Sequence, residues 1–318
     1  MLRLALVNAA PLLLALDFMG NAMISTRISI GIATLLLSGV SFAQYGTPET
    51  LKAEVTGATD LTFANEAKEF DASQNLSNSM VAPRRAEGEE LPALVMLPTC
   101  GGITQHIRDW AGEANKAGYV VLVTDSLRGL QNDCGSPSKI SNGRYIKDAL
   151  DAVAHLAKQP YVDSKHISVL GFSKGALVAT WLASSNVANT LRPGTPAIAA
   201  AISMYGFCAL GPTRGRPQGI QILQSDTDRP LLMLMGGQDT ELPPASCIDR
   251  LPKLKESGAP VQWHVYPEAT HAWDKSEQNG FTKVDFKGER VTYRYDKTIT
   301  EDSRTRVVQF LSKLNSSN

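Results

Sequence analysis

Ser173 stands between two glycines in "VLGFSKGALVA" (169–179), where a short apolar run passes into small helix-forming residues. The G-x-S-x-G spacing suits a serine nucleophile carried on a sharp strand-to-helix turn. The glycines allow close backbone approach, and the turn lifts the hydroxyl above a sheet. The same serine could also serve as an ordinary helix N-cap. A serine hydroxyl is a poor nucleophile until a base takes its proton, and the base needs a third group to orient it. Five histidines compete for that role. His106 and His155 precede the serine in helix-like segments, His166 sits just before a strand-like run, and His264 lies inside "VQWHVYP". His271, in "PEATHAWD", falls on a loop just past the last strand-like run and is read as the base. For the acid, Asp239 follows the buried run "LLMLMGG", with Glu241 as its competitor two residues on; Asp226 and Asp228 precede that run and fall at its wrong end.

A tetrahedral intermediate needs backbone N–H donors aimed at its oxyanion, one just after the nucleophile and one from an earlier loop. Lys174 supplies the first. "LPTCGG" (97–102) closes another apolar run, and its turn can present the Cys100 N–H as the second. No GK[ST] follows that turn, so it is not read as a phosphate loop, and no HExxH or Cys/His ligand set implies a metal. No cofactor is expected. The chain carries 31 basic and 31 acidic residues, so no net charge steers it toward nucleic acid or an anionic membrane.

These residues need elements to hold them. Apolar runs at 93–97, 119–124, 167–172, 197–206, 230–237 and 261–267 alternate with amphipathic stretches. Helices are predicted near 104–117, 143–158 and 302–315, the second with Ile146, Ala149, Leu150, Val153 and Leu156 on one face. Strand-like runs that are apolar throughout and separated by helices indicate an α/β fold, a mostly parallel sheet covered on both faces. Ligands then bind beyond the carboxyl ends of the strands. Residues 45–92 are polar and irregular, and are expected to give one or two edge strands and a linker ahead of a domain from residue 93 to 318. Trp110, Trp181 and Trp263 are expected in the core, and Trp273, beside His271, in the pocket. Residues 207–229, with Arg214 and Arg216, could form a partial lid, and "VDFKGERVTYRY" alternates like a hairpin bordering the cleft.

The first 43 residues hold two apolar runs. The second has the form of a secretory signal, with Met23, Arg27, an apolar stretch and a small-residue exit at Ser41-Phe42-Ala43 before Gln44. We therefore expect an exported, periplasmic or secreted protein, without a stable membrane anchor after processing, whose translation could start at Met23. In that setting Cys100, Cys134, Cys208 and Cys247 suit two disulfides, for which three connectivities are possible, or else buried free thiols.

Taken together, "LPTCGG", "GYVVLVTDSLRG" with Cys134 after it, "GFSKGA", "GGQDTELPPASC" and "YPEATHAWD" resemble the dienelactone hydrolase family in its secreted, serine-nucleophile branch, an α/β-hydrolase fold. The likeness covers about residues 93–314. It implies Ser173, Asp239 and His271 as a triad, the Cys100 and Lys174 amides as oxyanion donors, and the pairs Cys100–Cys134 and Cys208–Cys247. Enzymes of this family that open dienelactones carry a cysteine nucleophile; serine at 173 points to a broader ester, lactone or amide hydrolase acting on small molecules. Lys174, at a helix N-terminus where the dipole disfavours a cation, and Arg128, on the loop after 119–124, are candidates for attracting an acidic substrate. A peptidase of the same fold, or a catalytically silent scaffold used for binding, are the competing classes.

Overall fold

Side chains that alternate along a strand cover opposite faces of its sheet. Here that alternation divides the apolar runs between two cores. The computed structural model describes residues 45–135, 138–212, 219–285 and 287–315. The expected signal segment, Met23, Arg214 and Arg216 lie outside the described residues.

The chain opens with α1 (Pro48–Ala53), β1 (Ala64–Lys68), β2 (Ser79–Val81) and β3 (Leu91–Leu97). It continues through α2 (Gln105–Lys116), β4 (Val120–Val123), α3 (Asn142–Leu156) and β5 (Val162–Phe172). Next come α4 (Lys174–Leu182), α5 (Ser185–Leu191), β6 (Ala201–Met204) and the short strands β7 (Ala209–Leu210) and β8 (Ile220–Gln221). β9 (Leu231–Gly236), α6 (Ala245–Ile248), α7 (Leu251–Glu256) and β10 (Val261–Tyr266) follow. The hairpin β11 (Thr282–Val284) and β12 (Arg290–Thr292) leads into α8 (Lys297–Asn315).

Eight strands form one sheet in the order β1-β2-β4-β3-β5-β6-β9-β10. Every pairing is parallel except β2 with β4. Leu94, Met96, Leu170, Phe172, Ile202, Met204 and Leu234 join one core with Ile107 and Trp110 of α2 and Val307, Phe310 and Leu311 of α8. Val95, Leu97, Val169, Ala201, Met233 and Val261 join the other, with Ile146, Leu150 and Val153 of α3 and Val178, Trp181 and Leu182 of α4. The architecture is the α/β-hydrolase type expected, a mostly parallel sheet with helices on both faces.

Two boundaries differ from the sequence expectation for physical reasons. α8 begins at Lys297, not 302, because Asp296 caps it: its Oδ1 accepts the Ile299 N–H at 2.9 Å. β5 runs back to Val162, since its polar first half continues the pairing with β3, Leu91 facing Val162. The 45–92 segment supplies β1 and β2 to the same sheet, and adds α1, opened by Thr47 and Pro48. Its beginning is held by partners far along the chain. Gln221 N donates to Tyr45 O at 2.8 Å, and Trp181 Nε1 donates to Gly46 O at 3.1 Å. Leu61 N donates to Asp151 Oδ2 on α3 at 2.7 Å. A Cys208–Cys247 disulfide, with neither cysteine exposed, ties the chain after β6 to α6.

α4 lies unusually close to the strands. A Cβ on Gly175 would stand 2.0 Å from the Leu97 carbonyl oxygen at the end of β3, and one on Gly171 would stand 2.0 Å from the Gly175 oxygen. Gly175→Ala must therefore push α4 off β3, and overpacking of this kind costs about 3 kcal/mol. The expected result is a lowered urea midpoint; an unchanged midpoint would mean that α4 is free to shift.

Candidate active site

A cleft of about 270 Å³ lies beyond the carboxyl ends of β3, β5 and β10, lined by Cys100, Ser173 and His271 among others. Ser173 is the first residue beyond β5, with φ 51° and ψ −109°. That left-handed backbone is rare for a residue bearing a Cβ and costs on the order of 1–3 kcal/mol. The surroundings hold it there: Ser173 N donates to Met204 O of β6 at 3.0 Å, and Leu177 N of α4 donates to Ser173 O at 3.1 Å. The consequence is a hydroxyl raised above the sheet instead of one folded back as a helix cap; no side-chain capping bond is made.

His271 arrives from the loop after β10 and Asp239 from the loop after β9. The two loops are joined by Gly237 N donating to Tyr266 O at 2.8 Å and Gln238 N to Ala269 O at 2.9 Å. His271 Nε2 lies 2.9 Å from Ser173 Oγ, and Nδ1 lies 2.7 Å from Asp239 Oδ2. The other oxygen of Asp239 accepts the Leu242 N–H at 2.8 Å, which fixes the carboxylate. With the Nδ1 proton on the Asp239 side, the Nε2 lone pair faces the serine hydroxyl and can take its proton. All three residues are buried. Burial pushes the His271 imidazole down, but the Asp239 and Glu241 carboxylates outweigh it and hold the group above its ordinary value.

Aromatic rings fix the imidazole plane. Tyr205, just beyond β6 with φ 43°, meets His271 edge-on at 5.0 Å between centroids, and Tyr293 packs against it at 5.4 Å. Tyr293 donates its hydroxyl to Glu241 Oε2 at 2.8 Å, and Lys283 of β11 donates to Glu241 Oε1 at 2.9 Å. Glu241, the competitor in sequence, thus stands behind the histidine as a second carboxylate. Burial pushes Glu241 up, yet His271 and Lys283 keep it below its ordinary value.

Cys100 sits in the turn after β3, where Gly102 N donates to Thr99 O at 2.9 Å and Gly101 N to Thr99 Oγ1 at 3.2 Å. Among the described residues the Cys100 N–H donates to no protein acceptor. Cys100 is bonded to Cys134, and both line the cleft with Ser173 and His271. Lys174 opens α4 directly after the serine.

Two expected substrate residues are elsewhere. Trp273 is fully buried, its indole edge-on to Tyr205 and Tyr266, because the residue after Ala272 (φ 53°) turns back into the core. Arg128 points away from the cleft and is bound to the buried Asp148 at 2.8 Å. In their place the cleft is lined by Lys275, Gln278 and Phe281, with Lys283 and Tyr293 of the hairpin. Lys275 is only 4% exposed, and among the described residues its ammonium has no hydrogen-bond or ion-pair partner. Its spacing, four residues after His271, was visible in the sequence; its burial was not.

The sequence profile of the dienelactone hydrolase family matches residues 78–315. A Salmonella typhimurium protein provisionally named a carboxymethylenebutenolidase is 26% identical over 215 residues, 64% of this chain and 76% of its own length. A Methylorubrum extorquens protein of the same provisional name is 26% identical over 257 residues, 76% of this chain and 82% of its own. Among solved structures, a provisionally assigned dienelactone hydrolase of Klebsiella pneumoniae gives a TM-score of 0.54 at 19% identity, over 74% of this chain and 91% of that one. Thermogutta terrifontis esterase 2 gives 0.53 at 14% identity, over 78% and 94%. At such identities the likeness is one of fold.

The electrostatics around His271 can be measured directly. Its imidazole signals in NMR should titrate with a midpoint above 6.5. Glu241→Gln removes one of the two carboxylates that raise it, leaves Lys283 in place, and should lower the midpoint. A midpoint that stays put would show that Glu241 does not reach the imidazole electrostatically.

Proposed function

The chain belongs to the dienelactone hydrolase family and is a dienelactone hydrolase-like ester hydrolase, and on that premise we propose that it is an exported serine hydrolase of small esters or lactones, working through an acyl-enzyme on Ser173. The observation that carries the reading is the hydrogen-bond chain Ser173–His271–Asp239, at 2.9 and 2.7 Å. Ser173 Oγ attacks the carbonyl carbon as His271 Nε2 takes its proton. The carbonyl electrons move onto oxygen, facing the Cys100 and Lys174 amides. His271⁺, stabilised by Asp239 and Glu241, returns the proton to the departing alkoxide. Water repeats the sequence on the ester of Ser173, releasing the acid and restoring the serine. In a lactone the leaving hydroxyl stays tethered to the acyl group, so one hydroxy acid leaves at the end.

Lys275 narrows the substrate class. Burial pushes its ammonium below the ordinary lysine range, while the Glu277 and Asp274 charges oppose this. A largely buried cation on the cleft wall, with no hydrogen-bond or ion-pair partner among the described residues, favours a substrate that brings its own negative charge. The acidic-substrate expectation attached to Lys174 and Arg128 therefore passes to Lys275. Export is supported by the signal-like run ending at Ala43 and by two disulfides that use all four cysteines, an arrangement suited to an oxidising compartment.

A fluorophosphonate probe should label the protein once, at Ser173, and Ser173→Ala and His271→Ala should each lower kcat by about 10⁴–10⁶, since the members act as a unit. Unchanged turnover in Ser173→Ala would sink the reading. Lys275→Met should raise KM for the monoester of a dicarboxylic acid much more than for a neutral ester of equal length. Equal changes for both substrates would remove Lys275 from charge recognition.

A further inference from the structure

The Lys174 side chain has no part in the chemistry just described, and its position is electrostatically unfavourable. A cation at a helix N-terminus opposes the helix dipole, so its contacts must offset that. Its Nζ donates to Asn142 Oδ1 at the start of α3 and lies 3.5 Å from Ser138 Oγ, and it stands 5.0 Å over the Tyr145 ring. These partners lead back to the other oxyanion donor. Tyr145 donates its hydroxyl to Asp133 Oδ2 at 3.2 Å. The buried Asp133 carboxylate also accepts Ser138 Oγ and Lys139 N, each at 2.6 Å, and so organises the connection between β4 and α3. Asp133 N in turn donates to Cys100 O at 2.8 Å, and the next residue is Cys134, bonded to Cys100.

We infer that the connection holding Asp133, Cys134 and Ser138 is a brace between the two oxyanion amides, fastened to the first by the Cys100–Cys134 disulfide and to the second by the Lys174 side chain. The inference rests on the oxyanion reading above. Lys174 is on this view a positioning residue through its side chain and a donor through its backbone. The disulfide is a positioning element at the wall of the cleft. Because the brace fixes the distance between two donors, it acts on the tetrahedral state, where charge sits on the oxygen, and little on the bound ester. The disulfide fastening differs in accessibility from the second disulfide. Cys134 is exposed and Cys100 half-buried, whereas Cys208 and Cys247 are wholly buried. A dithiol reductant should therefore reach Cys100–Cys134 first. It delivers two electrons and two protons to the S–S bond and closes to its own cyclic disulfide.

The test uses the full protein under mild dithiothreitol, with the freed thiols located by alkylation and mass spectrometry, beside Lys174→Met and the Cys100→Ser/Cys134→Ser double variant. Opening Cys100–Cys134, or Lys174→Met, should lower kcat by about 10–100-fold, the scale of a displaced oxyanion donor. KM should stay within about twofold, as expected for an interaction made only in the transition state. The inhibition constant of a trifluoromethyl ketone, which forms a tetrahedral adduct on serine, should rise by the same factor that kcat falls. Reoxidation should restore kcat, which separates the effect from misfolding of the cysteine variant. Combining Lys174→Met with disulfide opening should cost less than the product of the two, because both release one brace. Wild-type turnover with kcat unchanged in reduced enzyme and in Lys174→Met would overturn the inference alone. Wild-type protein that neither hydrolyses esters nor takes the fluorophosphonate would overturn the functional reading and this inference with it.

Discussion

The close approach of α4 to β3 and β5 governs the geometry of the site. Hydrogen replaces a methyl group at Gly171 and Gly175, and the space saved lets the helix begin within contact of the Leu97 carbonyl. Only a helix that starts there leaves the chain a single residue, Ser173, in which to turn from strand to helix. That residue then has to take a left-handed backbone. The strain is local and the support is distributed: one bond from β6, one from α4, and two cores packed against either face of the sheet. The serine is held in place by groups that do no chemistry themselves.

The rest of the site follows from the parallel sheet. Ser173 and His271 are 98 residues apart and still meet at 2.9 Å, because neighbouring parallel strands end at the same level. Burial changes what those meetings mean. In water a second carboxylate near His271 would matter little; where Tyr205 and Tyr293 pack against the buried imidazole it bears on that ring and on its cationic form. The site thus holds an acidic side, Asp239 and Glu241 behind the histidine, and a basic one at Lys275. The hairpin carrying Lys283 connects the two.

The residues that meet around Ser173 could be read from the sequence wherever chain order and strand ends determine position. "GFSKGA", "GGQD" and "EATHAWD" each follow an apolar run, and the sheet brings their ends together. What escaped the sequence depends on side-chain direction and burial. Trp273 looked like a pocket residue because it lies two places from His271, but the positive φ of Ala272 sends it into the core. Lys275 carries no motif in the sequence, and only its burial on the cleft wall singles it out. Arg128 was placed on the correct loop, yet a buried aspartate on α3, twenty residues on, captures it. Tyr205 read as part of a strand and nothing more, since its contact with His271 depends on a left-handed turn that no residue type there announces. Periodicity carries the architecture; the charge pattern inside the cleft is a property of packing.

The beginning of the described chain has an uncommon set of partners. Tyr45 and Gly46 bond to Trp181, Gln221 and Gln224, the last 178 residues away. Contacts of that span form late, because the intervening loop must be closed before they contribute anything. During synthesis the bonds to Gln221 and Gln224 cannot form until the chain has reached β8 and the residues just after it. The earliest of the described residues to leave the ribosome are thus among the last to dock, and their arrival marks the completion of the layer around α3 and α4. Protection of the Gln221 amide, which donates to Tyr45, in pulse-labelling hydrogen exchange during refolding would time that step.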